Sequence, residues 1–501
     1  MSVSVGNLAF GVFENINMTK ASKRHGRVYT PDYLVKVILD FGGYDNSVIL
    51  KKHVIDNSCG DGAFLQEITK RYCSIFLKQN HDLKELKDDL ETFIHGIELD
   101  ADECSECIKN LDEIAKEYGI TETKWDILNA DTLTIDHYNN KMDYVFGNPP
   151  YVRVHNLENS YEAVKKYKFA EGGMTDLFIV FFEIGFNMIN PNGIICLITP
   201  SSWLSSKAGY NLRKYIQVYN NLSGLIDLEH FQPFKATTYT LVSKFQKRKS
   251  FNKIEYCTFD EINLKIKFKN FLSLKEMSIR DCFYLTSSKK LSELRAVKTE
   301  HCYQYVSVKN GFATLADKVF IGDFEFKKGT IDILKASTGK WSKCIYPYDK
   351  MGQPLPIEEF KKNEEAYNHL YCHSEKLTKG RDIGDDKYWY LFGRTQALKD
   401  VSKMKYAINT IIKDKNSIKL EEVAEGKGLY SGLYILTEIE FEEIQKLIIS
   451  EDFIDYIKLL KNYKSGGYYT FASKDLEHFL NFKLTEKYGQ SRISNSSREL
   501  F

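Results

Sequence analysis

The stretch Gly147-Asn148-Pro149-Pro150-Tyr151 combines residue types that suit chemistry on a planar amine. The Asn148 side-chain amide and the carbonyl oxygens of Asn148 and Pro149 supply hydrogen-bond acceptors, and two acceptors take both hydrogens of an exocyclic NH2 group. The nitrogen lone pair then leaves conjugation and can attack an electrophile, while the Tyr151 ring stacks on the attached ring system. The alternative interpretation is a proline-rich loop with an ordinary surface tyrosine.

The residues before this stretch must position it. Residues 142–146, which are apolar except for Asp143, predict a short buried strand. Proline has no amide hydrogen for a sheet ladder and its φ is fixed near −65°, so Pro149 and Pro150 force the chain out of the strand in a stiff extended turn. We therefore expect a rigid corner whose polar groups point in fixed directions.

An earlier segment, 53–68, predicts a strand, a glycine turn and a helix. This order is typical of the nucleotide-binding half of a doubly wound sheet, in which ligands bind at the carboxyl ends of parallel strands. Asp56 at the strand end is expected to receive a positively charged group. Gly60 and Gly62 allow the backbone to approach a ligand closely.

Two further apolar segments, 93–100 and 125–131, end in acidic residues. By the geometry of dinucleotide folds, an acid at the end of the first of these segments, Glu98 or Asp100, would accept both hydroxyls of a ribose, and Asp131 could accept an adenine amino hydrogen. Asp100 as a helix N-cap and Glu98 as a solvated strand end are the alternatives. Together these segments predict a parallel sheet with its polar ends gathered at one edge.

The remaining elements of the first half follow the same alternation. Thr30 as N-cap and Pro31 at the first helical position predict a helix start, which could receive a carboxylate. Further expectations are an apolar helix at 175–184, a turn at 190–193, a strand at 193–200, a helix at 207–217, and last strands at 225–228 and 240–245. Phe231 and Phe234 lie on the loop between those two strands.

Composition sets the broad class. A chain of 501 residues suits two or three domains. Residues 1–240 carry 24 Lys/Arg against 32 Asp/Glu, a net −8, whereas the remainder carries 45 against 36, a net +9. The basic half is a candidate for binding a polyanion. The sequence has no apolar run long enough for a membrane span and no signal peptide, and its ten scattered cysteines fit reduced thiols, so we expect a cytoplasmic protein.

The ordered motifs between residues 24 and 250 resemble the adenine-N6 DNA methyltransferases of restriction–modification systems, TaqI-like with the gamma motif order. Residues 26–31 are similar to the N-terminal cofactor motif and 56–62 to the first motif, although the Phe-x-Gly-x-Gly form is missing. Glu98 and Asp131 fall at the next two acidic positions. The residues from Asn148 to Tyr151 match the catalytic motif without substitution.

The resemblance implies S-adenosylmethionine as the cofactor, with Phe181 packed against its adenine, and no metal. Cys59 is interpreted as a small turn residue rather than an attacking thiol. The residues expected to bind the cofactor are Tyr29, Thr30, Pro31, Asp56, Ser58, Cys59, Gly60, Gly62, Glu98, Leu99, Asp131, Thr132, Asn148 and Phe181.

The implied substrate is an adenine that must leave the DNA stack before its amino group can be reached. Tyr151 would stack on the extruded base and Phe234 would press it from the side, with Phe231 as the alternative. Such stacking contributes roughly 1–3 kcal/mol per base. The expected catalytic residues are Asn148, Pro149, Pro150, Tyr151 and Phe234.

In the second half, segments 306–321, 390–396 and 465–471 mix Gly, Lys and Arg with aromatic residues and resemble target-recognition domains. Arg394 and Gln396 suit guanine and adenine edges, with phosphate contact or structural hydrogen bonding as the alternatives. The expected DNA-binding residues are Arg153, Lys309, Asn310, Arg394, Gln396 and Tyr468.

The sequence therefore predicts an arm (1–23), a methyltransferase domain (24–250) and a target-recognition domain (251–501), with a linker and a helical region over 246–300. The fold class is α/β: a Rossmann-like, doubly wound, mostly parallel sheet with its last strand antiparallel, followed by an α+β domain.

The expected partner is double-stranded DNA. The expected assembly is a monomer whose cognate endonuclease is a separate chain, because the cofactor motif begins by residue 26 and no Asp…Glu-x-Lys metal site follows. The alternatives are a methyltransferase acting on RNA or on protein glutamine, and a DNA-binding homologue that has lost catalysis.

Overall fold

The structure is a computed structural model that describes residues 29–154, 161–171, 175–234, 238–379 and 386–496. The chain divides into two compact units. The N-terminal unit comprises residues 1–275 with 281–283, and the C-terminal unit comprises 276–280 with 284–501. The predicted arm, residues 1–23, lies outside the described residues.

A mixed sheet forms the centre of the N-terminal unit. Its strands are β1 (Val54–Asp56), β2 (Ile94–Glu98), β3 (Asp126–Asn129), β4 (Met142–Gly147), β5 (Ile189–Pro200), β6 (Leu222–Asp227), β7 (Thr240–Gln246), β8 (Ile254–Asp260) and β9 (Lys265–Leu272). Their spatial order is β3-β2-β1-β4-β5-β7-β6-β8-β9. Only β7 and β9 run against the others. The predicted Rossmann-like, mostly parallel sheet is thereby confirmed.

Helices cover both faces of this sheet. They are α1 (Asp32–Gly42), α2 (Ala63–Phe76), α3 (Leu83–Phe93), α4 (Ala101–Glu117), α5 (Tyr161–Val164), α6 (Leu177–Met188) and α7 (Tyr210–Tyr219). The buried side chains of α1 to α4 share one core cluster with Val242 of β7. Phe245, three residues later on the same strand, contacts α6, so the two helix groups lie on opposite faces.

Several boundaries differ from the prediction. Pro31, not Thr30, is the N-cap of α1. Residues 190–193 form a bulge within β5, because Met142 pairs with Ile189 and Tyr144 with Ile194. The predicted helix at 207–217 begins only at Tyr210. The linker expected from residue 246 is wrong for 254–272, where β8 and β9 extend the sheet.

The C-terminal unit is α+β. Its described strands are β10 (Ser278–Ile279), β12 (Val306–Asn310), β13 (Ile321–Gly322), β14 (Thr330–Lys335), β15 (Lys340–Ile345), β16 (Lys405–Ile408), β17 (Ile411–Ile412), β18 (Leu420–Val423), β19 (Gly428–Tyr430), β20 (Leu433–Thr437), β21 (Tyr463–Lys464) and β22 (Tyr468–Thr470). Strands β12 to β22 form three small sheets in the described part of this unit, with orders β12-β20-β16-β18, β13-β15-β14-β19 and β17-β22-β21. The short strand β11 (Cys282–Phe283) belongs to the N-terminal unit.

The helices after β9 are short until the last. They are α8 (Leu274–Met277), α9 (Ser288–Thr299), α10 (Asp317–Phe320), α11 (Ile357–Phe360), α12 (Glu364–Cys372), α13 (Ser374–Thr378), α14 (Phe441–Ile448), α15 (Glu451–Leu459) and α16 (Ser473–Ser496). Across the described part of the chain, no helix combines the length and apolarity that a membrane crossing needs.

Phe182 of α6 anchors the second helix layer. Its buried ring meets Trp203 and Phe245 edge-on, with centroids 6.1 and 5.7 Å away. We expect Phe182→Ala to destabilise the fold by about 3–5 kcal/mol, because the truncation leaves a cavity in a packed core. Thermal unfolding of the full chain measures this loss. Phe268→Ala, at a half-exposed ring on β9, is the matched control and should change stability by less than about 0.5 kcal/mol; equal midpoints for both variants would contradict the packing described.

Candidate functional site

The carboxyl ends of β1, β2 and β4 and the start of α1 surround a cavity of about 250 Å³. Parallel strands bring these ends to one edge of the sheet, where such folds bind ligands. The lining residues are Tyr29, Thr30, Asp56, Asn57, Ser58, Cys59, Gly60, Asp61, Ala63, Phe64, Ile97, Glu98, Leu99, Asp100, Glu103, Asp131, Thr132, Leu133, Asn148, Pro150, Leu177 and Phe181.

Asp56 ends β1 as a buried carboxyl group. Its Oδ1 accepts a hydrogen bond from the Ser58 amide at 3.0 Å. Burial raises the pKa of Asp56 to about 7, with smaller contributions from the negative charges of Glu98 and Asp61. The carboxyl group is therefore held where ionisation is costly, and a cationic group placed beside it would relieve that cost.

The glycine turn after β1 is tied to the end of β2. Gly60 has a φ of +54°, and its amide donates to Glu98 Oε2 at 2.9 Å. Glu98 Oε1 accepts from the Asp100 amide, also at 2.9 Å. Glu98 is thus fixed by two backbone hydrogen bonds at the cavity wall. The Asp100 side chain accepts from the first-turn amides of α4, so the N-cap alternative for Asp100 is confirmed.

The third strand end closes another side of the cavity. The Asp131 side chain accepts from the Leu133 amide at 3.0 Å and caps the short 3-10 turn 132–134. The Thr132 hydroxyl donates to the Asn57 carbonyl at 2.7 Å. This bond joins the loop after β3 to the loop after β1.

The Asn148 turn faces the same cavity. Asn148 Nδ2 donates a hydrogen bond to the Thr30 hydroxyl at 3.1 Å. Thr30 therefore orients the Asn148 side-chain amide, and it does not cap α1. Gly147 allows the turn to approach β1, because a Cβ there would lie 2.8 Å from Asp56 Oδ1. The amide is therefore fixed beside the residues at the end of β1.

Tyr151 continues the turn into an aromatic corner. Its ring lies edge-on to Phe234 and to Phe178, with both centroid distances 6.3 Å. Burial raises the pKa of the Tyr151 hydroxyl well above its usual range. Phe231 instead stacks on Phe259 at 5.2 Å. Of the two predicted aromatics, the structure brings Phe234, and not Phe231, against Tyr151.

Most predicted cofactor residues lie around the cavity, and two do not. Pro31 starts α1 outside the lining, and Gly62 packs against α4, where a Cβ would lie 2.7 Å from Cys107 Sγ. Lining residues that the sequence interpretation missed are Asn57, Asp61, Ala63, Phe64, Ile97, Asp100, Glu103, Leu133 and Leu177. Asn57 and Asp61 lie within the segment 56–62 that resembles the first motif, so their position in that segment could have identified them from the sequence.

Two of the lining residues carry unsatisfied polar atoms. Asn57 Oδ1 and Ser58 Oγ are buried and have no hydrogen-bond partner among the described residues. Buried polar atoms normally find partners, so both atoms are suited to a polar ligand. Across the mouth, the Tyr29 hydroxyl donates to Glu103 Oε1 at 2.8 Å.

The predicted DNA-binding residues have mixed surroundings. Lys309 forms an ion pair with Asp400 at 2.8 Å, and Gln396 Nε2 donates to the Gly311 carbonyl, which is the structural alternative. Lys413 lies 5.9 Å from the centroid of the Tyr468 ring. The side chains of Arg153, Asn310 and Arg394 are exposed. Base or phosphate contact by these residues stays a prediction.

The sheet order and the cavity at its carboxyl edge define a Rossmann-like methyltransferase fold. Residues 63–234 match the Eco57I restriction-modification methylase family. The Type II methyltransferase M.BstVI of Geobacillus stearothermophilus is 29% identical over 227 residues, 42% of this chain and 40% of that protein. RM.Eco57I of Escherichia coli, a Type II restriction enzyme and methyltransferase, is 25% identical over 55% of this chain and 33% of its own length.

Among solved structures, the Type IIL restriction-modification enzyme MmeI in complex with DNA aligns with a TM-score of 0.64 at 13% identity, covering 88% of this chain and 63% of that one. The chain thus spans less than two thirds of the length of each of these relatives. The match over residues 63–234 confirms the predicted resemblance to the methyltransferases of restriction–modification systems. The adenine-N6 specificity and the gamma motif order stay predictions.

The buried acid at the end of β1 makes stability depend on pH. The pKa of Asp56 is about 7 in the folded chain against an ordinary 3.8, so between these values the unfolded chain releases a proton that the folded chain keeps. Stability therefore falls as pH rises through this window, and the full penalty is present above pH 7. Asp56→Asn should raise the unfolding temperature of the ligand-free protein at pH 8 and raise it less at pH 5.

The exposed Asp136→Asn variant is the control and should show no such difference. A gain for Asp56→Asn that is equal at both pH values would refute the assigned titration.

Proposed function

We propose that this chain is a site-specific DNA methyltransferase that transfers a methyl group from S-adenosylmethionine to the N6 amino group of an adenine extruded from duplex DNA. Its product would protect DNA from a cognate restriction endonuclease carried on a separate chain. The observation that supports this most directly is the position of the Asn148 turn, which lines the cavity on one side and continues into the Tyr151–Phe234 corner.

The cavity residues fit the cofactor. The unsatisfied Asn57 Oδ1 and Ser58 Oγ atoms and the buried Asp56 carboxyl group suit its cationic, hydrogen-bonding methionine end. Glu98, at the end of β2, would accept the ribose hydroxyls. The polar group of Asp131 and the buried ring of Phe181 suit the adenine. When bound, the cofactor supplies an electrophilic sulfonium methyl group.

The chain's own groups align the amine. The Asn148 side-chain oxygen and the Pro149 carbonyl accept the two amino hydrogens, which directs the nitrogen lone pair out of the ring plane. The hydrogen bond from Asn148 Nδ2 to Thr30 fixes the amide so that its oxygen is presented without a conformational search. Tyr151 and Phe234 bind the extruded base by ring contact.

DNA is the substrate that the rest of the chain favours. The net charge of +9 beyond residue 240 suits a polyanion, and the MmeI structure that shares the fold was determined with DNA. The Type II methyltransferase M.PaeR7I of Pseudomonas aeruginosa is 23% identical over 60% of this chain. RNA, protein glutamine, or binding without catalysis are the outcomes that the following experiment distinguishes.

Asn148→Ala removes one acceptor from the proposed amine site. We expect methyl transfer from labelled S-adenosylmethionine to mixed genomic duplex DNA to fall by about 10²–10³-fold, the effect of deleting one positioned transition-state hydrogen bond. Asn252→Ala, on an exposed loop of the same unit, is the matched control and should retain wild-type transfer. Full activity in Asn148→Ala, or wild-type labelling of RNA or protein in place of DNA, would overturn the proposal.

Cofactor binding should depend on pH through Asp56. The carboxyl group with a pKa of about 7 is mostly protonated at pH 6 and mostly ionised at pH 8, and only the ionised form attracts a cation. We expect calorimetry to show S-adenosylmethionine binding roughly tenfold tighter at pH 8 than at pH 6. Asp56→Asn should bind more weakly at pH 8 with a flat profile; a persistent pH dependence in that variant would assign it to another group.

A further inference from the structure

The hairpin formed by β8 and β9 lies at the outer edge of the N-terminal sheet. Because β8 runs parallel to β6, its carboxyl end and the turn 261–264 lie at the same edge of the sheet as the Asn148 turn. The site described above uses no residue of this hairpin.

The hairpin also touches the loop that carries the proposed base-binding aromatic. Phe231, three residues before Phe234, stacks on Phe259 of β8 with centroids 5.2 Å apart and planes 23° from parallel. The loop that carries Phe234 is therefore packed against the hairpin.

The hairpin presents an unbalanced row of cations. Lys265, Lys267 and Lys269 lie along β9 with exposed side chains. Their ammonium groups form no close ion pair with a described residue, although hydrogen bonds from Asn263 and, to a smaller extent, the charge of Lys267 lower the pKa of Asp260 at the end of β8. Residues 247–275 carry eight Lys/Arg against three Asp/Glu, whereas residues 1–240 are net negative. Side chains two residues apart on a strand are separated by roughly 7 Å, so the ammonium groups of Lys265 and Lys267 can meet different phosphates of a polyanion. Lys269 follows on the same strand at a bulge, where the register with β8 shifts.

The turn of the hairpin is held in one conformation. The Asp260 carboxylate accepts from the Ile262 amide, the Asn263 amide and Asn263 Nδ2. Asp260 therefore points into the turn and not toward an incoming anion. Ile262 projects from the tip with 87% of its surface exposed. A fixed tip with cations behind it loses little freedom when it binds.

Edge-strand lysines also serve to prevent pairing with another sheet. A single charged residue can prevent such pairing. Protection of the edge therefore does not explain why β9 carries three exposed lysines, or why they follow the turn at the edge of the sheet that holds the Asn148 turn. Charge complementarity favours a nucleic-acid backbone, which carries one negative charge per roughly 3.4 Å of axis on each strand.

Resting on the proposed function, we propose that the β8–β9 hairpin binds the sugar–phosphate backbone of the duplex that flanks the extruded adenine, through Lys265, Lys267 and Lys269. The contact is independent of base sequence because it is made to phosphates. It adds a DNA-binding surface on the N-terminal unit to the one expected from the C-terminal half.

The test compares the full-length wild type with the combined variant Lys265→Ala, Lys267→Ala, Lys269→Ala. Fluorescence anisotropy with a mixed-sequence duplex of about 40 base pairs should show about tenfold weaker binding at about 0.1 M salt, and the slope of log Kd against log salt should fall by about 2–3. S-adenosylmethionine binding and methyl transfer at saturating DNA should be unchanged, which verifies that the variant is folded.

The control variant is Lys84→Ala, Lys116→Ala, Lys124→Ala, which removes the same charge from exposed positions around β2 and β3 at the opposite end of the sheet. It should bind DNA as the wild type does. Equal affinity and salt slope in the hairpin variant would refute the hairpin contact while leaving the methyltransferase proposal standing. A wild type that binds no duplex would overturn both, and a wild-type dimer that the hairpin substitutions dissociate would assign the edge to a second copy of this chain.

Discussion

The register between β1 and its two neighbours is the constraint on which the site depends. Asp56 pairs with Gly96 of β2 on one side and with Phe146 of β4 on the other. Side chains alternate between the faces of a strand, so a shift of one residue would turn Asp56 or the residues before Asn148 to the wrong side. Strands β1 and β4 are buried along their length except at Asp143 of β4. The positions of the polar groups at the cavity therefore depend on hydrophobic strand pairing, and not on the polar groups themselves.

Around that register, the cavity holds polar groups whose burial works against stability. Asp56 is buried with a raised pKa, and Asn57 Oδ1 and Ser58 Oγ lack partners among the described residues. Each of these groups costs free energy in the ligand-free chain. A site that binds a charged, polar ligand accepts this cost, because the ligand supplies the missing interactions. Glu98 differs from these groups, because two backbone amides already donate hydrogen bonds to its carboxylate in the ligand-free chain.

The sequence predicted the positions that local chemistry controls. Apolar segments ending in Asp56, Glu98, Asp131 and Asn148 identified strand ends, and the sheet then gathered them. The sequence favoured Phe234 but left Phe231 open as the alternative, because both lie on one loop and tertiary packing decides between them. In the structure Phe234 contacts Tyr151, whereas Phe231 stacks on Phe259. Residues 265–272 were interpreted within a linker because lysine interrupts the apolar pattern, yet an edge strand with one solvated face tolerates such alternation. Gln396 could not be assigned from sequence, because its carbonyl partner is 85 residues away.

The contact between Gly147 and Asp56 has a consequence for how the two parts of the site move. A β-carbon at Gly147 would lie only 2.8 Å from Asp56 Oδ1. The Asp56 side chain at the end of β1 and the turn after β4 are therefore packed directly against each other and should move together. A ligand that displaces the Asp56 carboxylate toward Gly147 therefore also displaces the backbone that carries Asn148. Occupancy at the Asp56 end of the cavity is thereby coupled to the position of the Asn148 amide at the other end.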